Sequence, residues 1–222
     1  MNFFDDSVFF GVAISILSYG FGILLNNKFK LAIFNPLLIS IVATIVVLLV
    51  SGIDYKVYNS GAKYLNYLLT PATVCLAVPL YEKLEVLKKN IKAILIGILS
   101  GVLTSLLSVL GMSVIFGLNH TEYVTMLPKS ITTAIGIGVS EELKGNVTLT
   151  CVIIIVTGVL GNIIAPAICK LFKIKDPIAK GIAIGTAKAM EMGETEGAMS
   201  SLSIAVSGLM TVIGASVFAQ FM

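Results

Sequence analysis

Between Lys92 and Glu122 the chain places no Asp, Glu, Lys or Arg, and most of what stands there is Leu, Ile, Val, Gly or Ser. A helix needs roughly 20 apolar residues to cross the hydrocarbon core of a bilayer, and the run from about 91 to 117 supplies them. Comparable runs lie at roughly 7–25, 33–52, 147–171 and 202–221. Inside hydrocarbon every backbone polar group must find a partner within the protein, so a chain with several such runs folds as packed helices. The rest of the composition agrees: 57% hydrophobic and 12% charged residues, where a soluble domain carries about a quarter charged. Mean hydropathy is +1.00. The net charge of +3 is small and dispersed, and no aromatic-basic stripe points to nucleic acid. The expectation is an all-α, multi-pass protein of the cell's inner (plasma) membrane. The opening "MNFFDDSVFF" has acids where a secretory signal would carry Lys or Arg, so the first apolar run is expected to be retained.

Three further stretches are apolar enough for membrane depth yet interrupted. They are "NYLLTPATVCLAVPLY" (66–81), "MLPKSITTAIGIGVSEEL" (126–143) and "GIAIGTAKAMEMGETEGAMSS" (181–201). The interruptions are assigned to Pro71, Pro79, Pro128, Gly136 and Gly138, which remove a donor or loosen the helix. Such breaks survive at depth only where protein or a water-filled cavity covers them. The count becomes about eight membrane segments, three of them broken or re-entrant. A shift of 57 residues places Pro71 on Pro128, Ala77 on Ala134, Glu85 on Glu142, and "SGVL" (100–103) on "TGVL" (157–160). "SGLM" (207–210) follows at a shorter offset. One transmembrane domain over 1–222 is expected, with two leading spans in 1–65 and repeats of broken helix plus intact span in 66–222. Asp5 and Asp6 before the first span and Lys28 and Lys30 after it favour an external N-terminus, and the lysine-rich connection at 82–92 an internal side. The side of Lys170, Lys173, Lys175 and Lys180 depends on whether the second broken segment crosses.

A helix that starts at membrane depth offers unpaired N–H groups and a partial positive charge, which suits an anion. Around Pro128 that end is joined by the full charge of Lys129 and by the hydroxyls of Ser130, Thr132 and Thr133. Thr70 and Thr73 flank Pro71, and Thr186 and Lys188 lie in "IGTAKAM". Together these residues read as a substrate site for a short carboxylate, because intramembrane ionisable residues default to function. Glu191 and Glu196 are candidate proton carriers, while Glu194 reads as a solvated acid in a turn. His120 reads as a loop residue with no second metal ligand at helix spacing. Cys75, Cys151 and Cys169 lack CxxC spacing and read as buried free thiols. No nucleotide, hydrolase or zinc-protease fingerprint is present, so neither an enzyme, a cofactor nor a metal site is expected.

The strings "NPLL" (35–38), "GIDYKVYNSG" (52–61), "LLTPATVCLAVPLYE" (68–82), "LPKSITTAI" (127–135) and "EGAMSS" (196–201) resemble the LrgB/CidB family in order and spacing over nearly the whole chain. Two features depart from the family pattern: Ala134 stands where Pro usually follows the paired threonines, and the stretch near 185–196 is shorter. The resemblance implies a multi-span membrane protein, with an LrgA/CidA-like membrane partner. Its members are described as antiholin- or holin-like modulators of murein hydrolase activity and autolysis, some as pyruvate transporters, and the plant relative as a plastidial glycolate/glycerate translocator. Three readings follow. One is a carrier of small monocarboxylates, another a holin-like pore or its antagonist acting as a homo-oligomer in lipid, and the third a structural subunit of an LrgA-like partner. Eight segments with internal breaks exceed what a pore-former requires, which ranks the carrier first.

Overall fold

The computed structural model describes residues 9–29, 34–75, 77–185 and 188–222, and every described secondary-structure element is helical. The α-helices are α1 (Phe10–Phe29), α2 (Pro36–Ser51), α3 (Tyr55–Ala62), α4 (Leu69–Cys75), α5 (Ala77–Glu82) and α6 (Leu84–Phe116). They continue with α7 (His120–Met126), α8 (Thr133–Glu142), α9 (Val147–Leu171), α10 (Pro177–Ile184), α11 (Lys188–Met192) and α12 (Glu194–Phe218). The chain divides into two compact units, Met1–Cys75 and Leu76–Met222.

Four helices, α1, α6, α9 and α12, are long and apolar enough to cross a membrane. Their outward faces support that use. On α6, Ile94, Ile98, Val102, Leu106 and Val109 are buried in the core, while Ile96, Leu99, Leu103 and Leu107 stand exposed on other faces. Water would not tolerate so continuous an apolar surface on a lone chain, whereas lipid does. The protein is a membrane protein.

Helix ends differ from the sequence reading in ways that local chemistry explains. The expected span 33–52 shrinks to the 16 residues of α2. Asn35 caps it, its Oδ1 accepting from Leu37 N at 2.9 Å, and Gly52 ends it at φ 64°, a conformation that favours glycine. The lysine-rich stretch 82–92 is not a connection: from Leu84 onward it forms the first turns of α6. With 33 residues, α6 is about 50 Å long, well beyond the roughly 30 Å of hydrocarbon. The last long helix begins at Glu194 instead of 202, so "EGAMSS" belongs to α12 and not to an interruption. His120 opens α7 instead of lying in a loop, behind a capping box made by Asn119 and Glu122.

In the first unit α1 packs on α2 and α3 through small residues. Gly11, Ser18 and Gly22 are its buried positions. A Cβ on Gly11 would run into the Tyr58 carbonyl, and one on Gly22 would come within 2.6 Å of the Pro36 carbonyl. Ser15 Oγ adds a 2.8 Å hydrogen bond with the Tyr58 hydroxyl. Close backbone approach over small residues is how helices associate where apolar burial provides little drive.

In the second unit α12 packs against α5, α6, α8, α10 and α11. Its core joins the α6 stripe to Tyr123, Val124 and Leu127 around α7 and to Ala198, Met199 and Ala215 of α12. Tyr123 donates its hydroxyl to the Phe218 carbonyl at 2.9 Å. Of the cysteines only Cys169 is buried, whereas Cys75 is exposed and Cys151 half-buried, so the expectation of three buried thiols fails for two of them.

Candidate functional site

Pro128 is the expected interruption that the structure places outside a helix. α7 ends at Met126, and Leu127–Ile131 turn without helical continuity before Thr132 opens α8. Pro128 itself is fully buried. The other expected breaks lie inside helices. Pro71 and Pro79 each stand at the third position of a short helix, α4 and α5, in the first turn, where a proline's missing N–H has no intrahelical partner to lose. Gly136 and Gly138 sit in the middle of α8. Gly136 serves packing: a Cβ there would collide with Ile154 Cδ1 of α9, while Gly138 has open space. Glycine costs a helix only about 1 kcal/mol relative to alanine, which tertiary contact offsets.

A buried polar knot holds this hairpin. Thr125 Oγ1 accepts from Asn146 N at 2.8 Å and donates to the Thr121 carbonyl at 2.6 Å. Thr150 Oγ1 lies 3.0 Å from the Thr125 carbonyl and 2.8 Å from Ser140 Oγ. The α8–α9 turn is tight, with Lys144 at φ 58° and Gly145 so close that a Cβ would come within 2.8 Å of Ser140 Oγ. The loop carrying Lys129 is therefore fixed at both ends.

That loop forms one wall of a cavity of about 1070 Å³ within the second unit, also lined by α6, α9, α10 and α12. Lys129, Ser130, Ile131 and Thr132 line it, and Thr133 does not. Lys129 Nζ donates to Ser130 Oγ at 3.0 Å and Ser105 Oγ at 3.3 Å, and the two hydroxyls lie 3.0 Å apart. An ammonium has three N–H donors, so one remains for a ligand. Among the described residues no carboxylate pairs with Lys129, and the ion pair there is Lys83 Nζ–Glu194 Oε2 at 2.9 Å. Among the described residues the carboxylate in the lining is Asp176, itself exposed, which caps α10 by accepting from Ala179 N at 2.9 Å. A half-desolvated cation flanked by two hydroxyls is a place for an anion.

Of the remaining expected site residues, Glu196 stands in the first turn of α12 and is not in the cavity lining. Its carboxylate lies beside Gly193, where it complements the positive end of the helix. Thr186 lies outside the described residues, as do the side chains of Thr70, Thr73, Lys188 and Glu191. The sequence reading missed Ser105, Asp176 and a set of cavity hydroxyls that includes Ser100, Thr104, Thr157 and Ser207. Two signals were available: hydroxyls four residues apart on an apolar span, and the strings "SGVL", "TGVL" and "SGLM", used above only as markers of repetition.

These features define a class: a helical membrane protein whose long helices line a largely apolar cavity in which, among the described residues, the Lys129 ammonium has no carboxylate partner. Residues 15–221 match the LrgB-like family. The antiholin-like protein LrgB of Bacillus cereus strain B4264 is 36% identical over 221 residues, covering 96% of each chain. The antiholin-like LrgB proteins of Bacillus cereus strain AH187 and Bacillus anthracis strain A0248 match to the same extent. The chain belongs to the LrgB-like family. No solved structure matches it.

Proposed function

We propose that this protein carries small monocarboxylates of the pyruvate, glycolate or glycerate class across the plasma membrane, binding them at Lys129. The observation that carries the reading is the Lys129 ammonium, which lacks a carboxylate partner among the described residues and faces a cavity beside the Ser105 and Ser130 hydroxyls. A pore or a structural subunit has no use for such a group, whose desolvation is costly.

The element order supports the repeat part of the proposal: two short helices and one long one recur as α4–α5–α6, α7–α8–α9 and α10–α11–α12. On this reading each short pair is a broken membrane segment, and with α1, α2 and the three long helices the segments number about eight. Carriers commonly place their site at the junction of such repeats.

The relatives' name, antiholin-like, favours a second reading, in which the protein tempers a holin-like pore beside an LrgA/CidA-like partner or as a homo-oligomer. One proteoliposome preparation separates the two. A carrier gives saturable pyruvate uptake, counterflow by unlabelled pyruvate, and full retention of a larger neutral dye. Dye release in step with pyruvate flux refutes the carrier.

A further inference from the structure

Contacts within the second unit fix which ends of its helices share a level. α6 and α12 run parallel: Lys83 pairs with Glu194 at their starts, Leu106 abuts Gly214 further along, and His120 Nδ1 lies 2.6 Å from the Met222 carbonyl just past their ends. From that far end α7 turns back inward. Tyr123 reaches the Phe218 carbonyl, and Lys129 reaches Ser105, about 16 Å short of the end of α6 at Phe116. α8 then returns the way α7 came. Ile135, near its start, abuts Gly208 of α12, whereas Ser140 and Asn146 are tied through Thr150 and Thr125 to the last turn of α7. The α7–α8 segment is therefore re-entrant and does not cross.

α9 accordingly starts toward the far end, and its 25 residues, about 37 Å of helix, lead back to the near one. There α10 lies against the first turns of α6 and α12: Gly97 abuts Ile182, and Gly181 abuts the Glu196 backbone. This settles the side of the lysines. Lys88, Lys89 and Lys92 on the first turns of α6 are exposed at the same end as Lys170, Lys173 and Lys175 around the end of α9. At the far end, segments 117–126 and 139–149 hold Lys144 alone, with Glu122, Glu141 and Glu142. Lys and Arg collect on the cytoplasmic side, and acids weigh little in that rule, so Glu82, Glu85 and Asp176 beside the lysines do not reverse it.

The cavity has the same polarity. Its lining on α6 runs from Asn90 to Ser105, about 22 Å, and stops there although the helix continues to Phe116. Exposed Asp176 stands at the lysine-bearing end of the lining, with Lys129 and Ser105 at the other. Beyond them Tyr123, Val124 and Leu127 of the hairpin are buried in the core and close the space toward the far end. A mouth ringed by one sign of charge raises the local concentration of the opposite ion.

We propose that the lysine-bearing end is the cytoplasmic face and the mouth of the cavity, its lysines drawing anions in toward Lys129. That the anion is a transported substrate rests on the carrier reading, whereas sidedness and access are measured without it. The full chain, with Cys75, Cys151 and Cys169 replaced by Ser, receives single cysteines and is labelled in right-side-out and inverted membrane vesicles. With an impermeant maleimide, Lys89→Cys and Lys173→Cys should both label in inverted vesicles and Glu142→Cys in right-side-out ones. Ser100→Cys, inside the cavity, should react with a small anionic thiosulfonate faster from the cytoplasmic face. Exchanging Lys88, Lys89, Lys92, Lys173 and Lys175 together for Gln should slow that reaction roughly tenfold at low salt and leave a neutral thiosulfonate unaffected, and salt should erase the difference.

Lys89→Cys and Lys173→Cys labelling from opposite faces overturns the re-entrant hairpin, and both labelling in right-side-out vesicles overturns the orientation. Ser100→Cys that reacts equally or faster from the outer face, or from neither, overturns the mouth. Equal slowing of anionic and neutral reagents overturns the role of the lysines. Cytoplasmic access that pyruvate does not block, in a protein without pyruvate flux, leaves the mouth standing and removes the carrier.

Discussion

Replacing Lys129 with methionine removes the ammonium while keeping most of the aliphatic stem, and the surroundings of Lys129 make its two effects diverge. The ammonium donates only to two hydroxyls, Ser105 and Ser130, and leaves no carboxylate stranded when it goes. Breaking a buried ion pair usually destabilises a protein, because the surviving charge is unpaired. Here no ion-pair partner is left behind among the described residues, and the half-desolvated cation itself no longer has to be accommodated, so Tm should stay level or rise. Anion recognition should collapse. A charge-assisted hydrogen bond in a desolvated site contributes about 1.5–3 kcal/mol, which is roughly ten- to 150-fold in affinity. Labelled pyruvate binding and Tm, measured on one preparation, read both arms. Lys83 is a poor control because it bonds Glu194; Lys88, exposed on the first turns of α6, is the better one. Lys88→Ala and Lys129→Met giving equally small losses of binding would refute the site. A large fall in Tm for Lys129→Met would refute the claim that no carboxylate depends on it.

Two glycines two residues apart in α8 should respond with opposite signs: Gly136→Val overpacks against Ile154 and should cost about 1–3 kcal/mol, whereas Gly138→Ala meets open space and should gain up to about 1 kcal/mol. Thermal melting reads both, and equal signs would count against the α8–α9 packing described. Thr150→Val leaves the Ser140 hydroxyl and the Thr125 carbonyl without their shared partner and should cost about 1–3 kcal/mol, with faster amide exchange at the α8–α9 turn as the specific sign. Gly22→Leu forces a side chain onto the Pro36 backbone, and should loosen α1 from α2, measured as new protease or thiol-probe access in the first unit while Leu76–Met222 keeps its protection.

The long helices were legible because nothing except a bilayer or a core accommodates runs such as 93–117, and the membrane class followed from them. Their ends were less so. α2 stops where Asn35 and Gly52 satisfy its termini, local signals that a hydropathy window blurs. α12 starts early because α10 and α12 touch backbone to backbone: a Cβ on Gly181 would come within 2.5 Å of the Glu196 carbonyl. "GAMSS" is therefore a close-packed helix face, although its small polar residues resemble a turn. The same ambiguity misplaced Gly136, whose missing side chain makes room for Ile154. At the site, Lys129 and Ser130 were legible because a charge in an apolar segment is conspicuous. Ser105, Thr157 and Ser207 were not, since an isolated hydroxyl on an apolar helix equally suits back-bonding to its own turn. Only the fold shows that those hydroxyls line one cavity.

The loop between α7 and α8 also bears on how the chain enters the membrane. α7 has seven residues and α8 ten, so neither reaches across hydrocarbon alone, and a lysine at mid-depth adds roughly 2.5–3.5 kcal/mol to insertion. Handed to the insertion machinery by itself, the stretch from His120 to Glu142 partitions poorly into lipid. What accommodates it is α6, already apolar and long, offering Ser105 to the ammonium, and α9, whose Asn146 and Thr150 close the knot with Thr125. The expected consequence is that the hairpin enters lipid only once α9 has been made, and a chain truncated before Asn146 should leave His120–Glu142 accessible to a water-soluble thiol probe at an introduced cysteine.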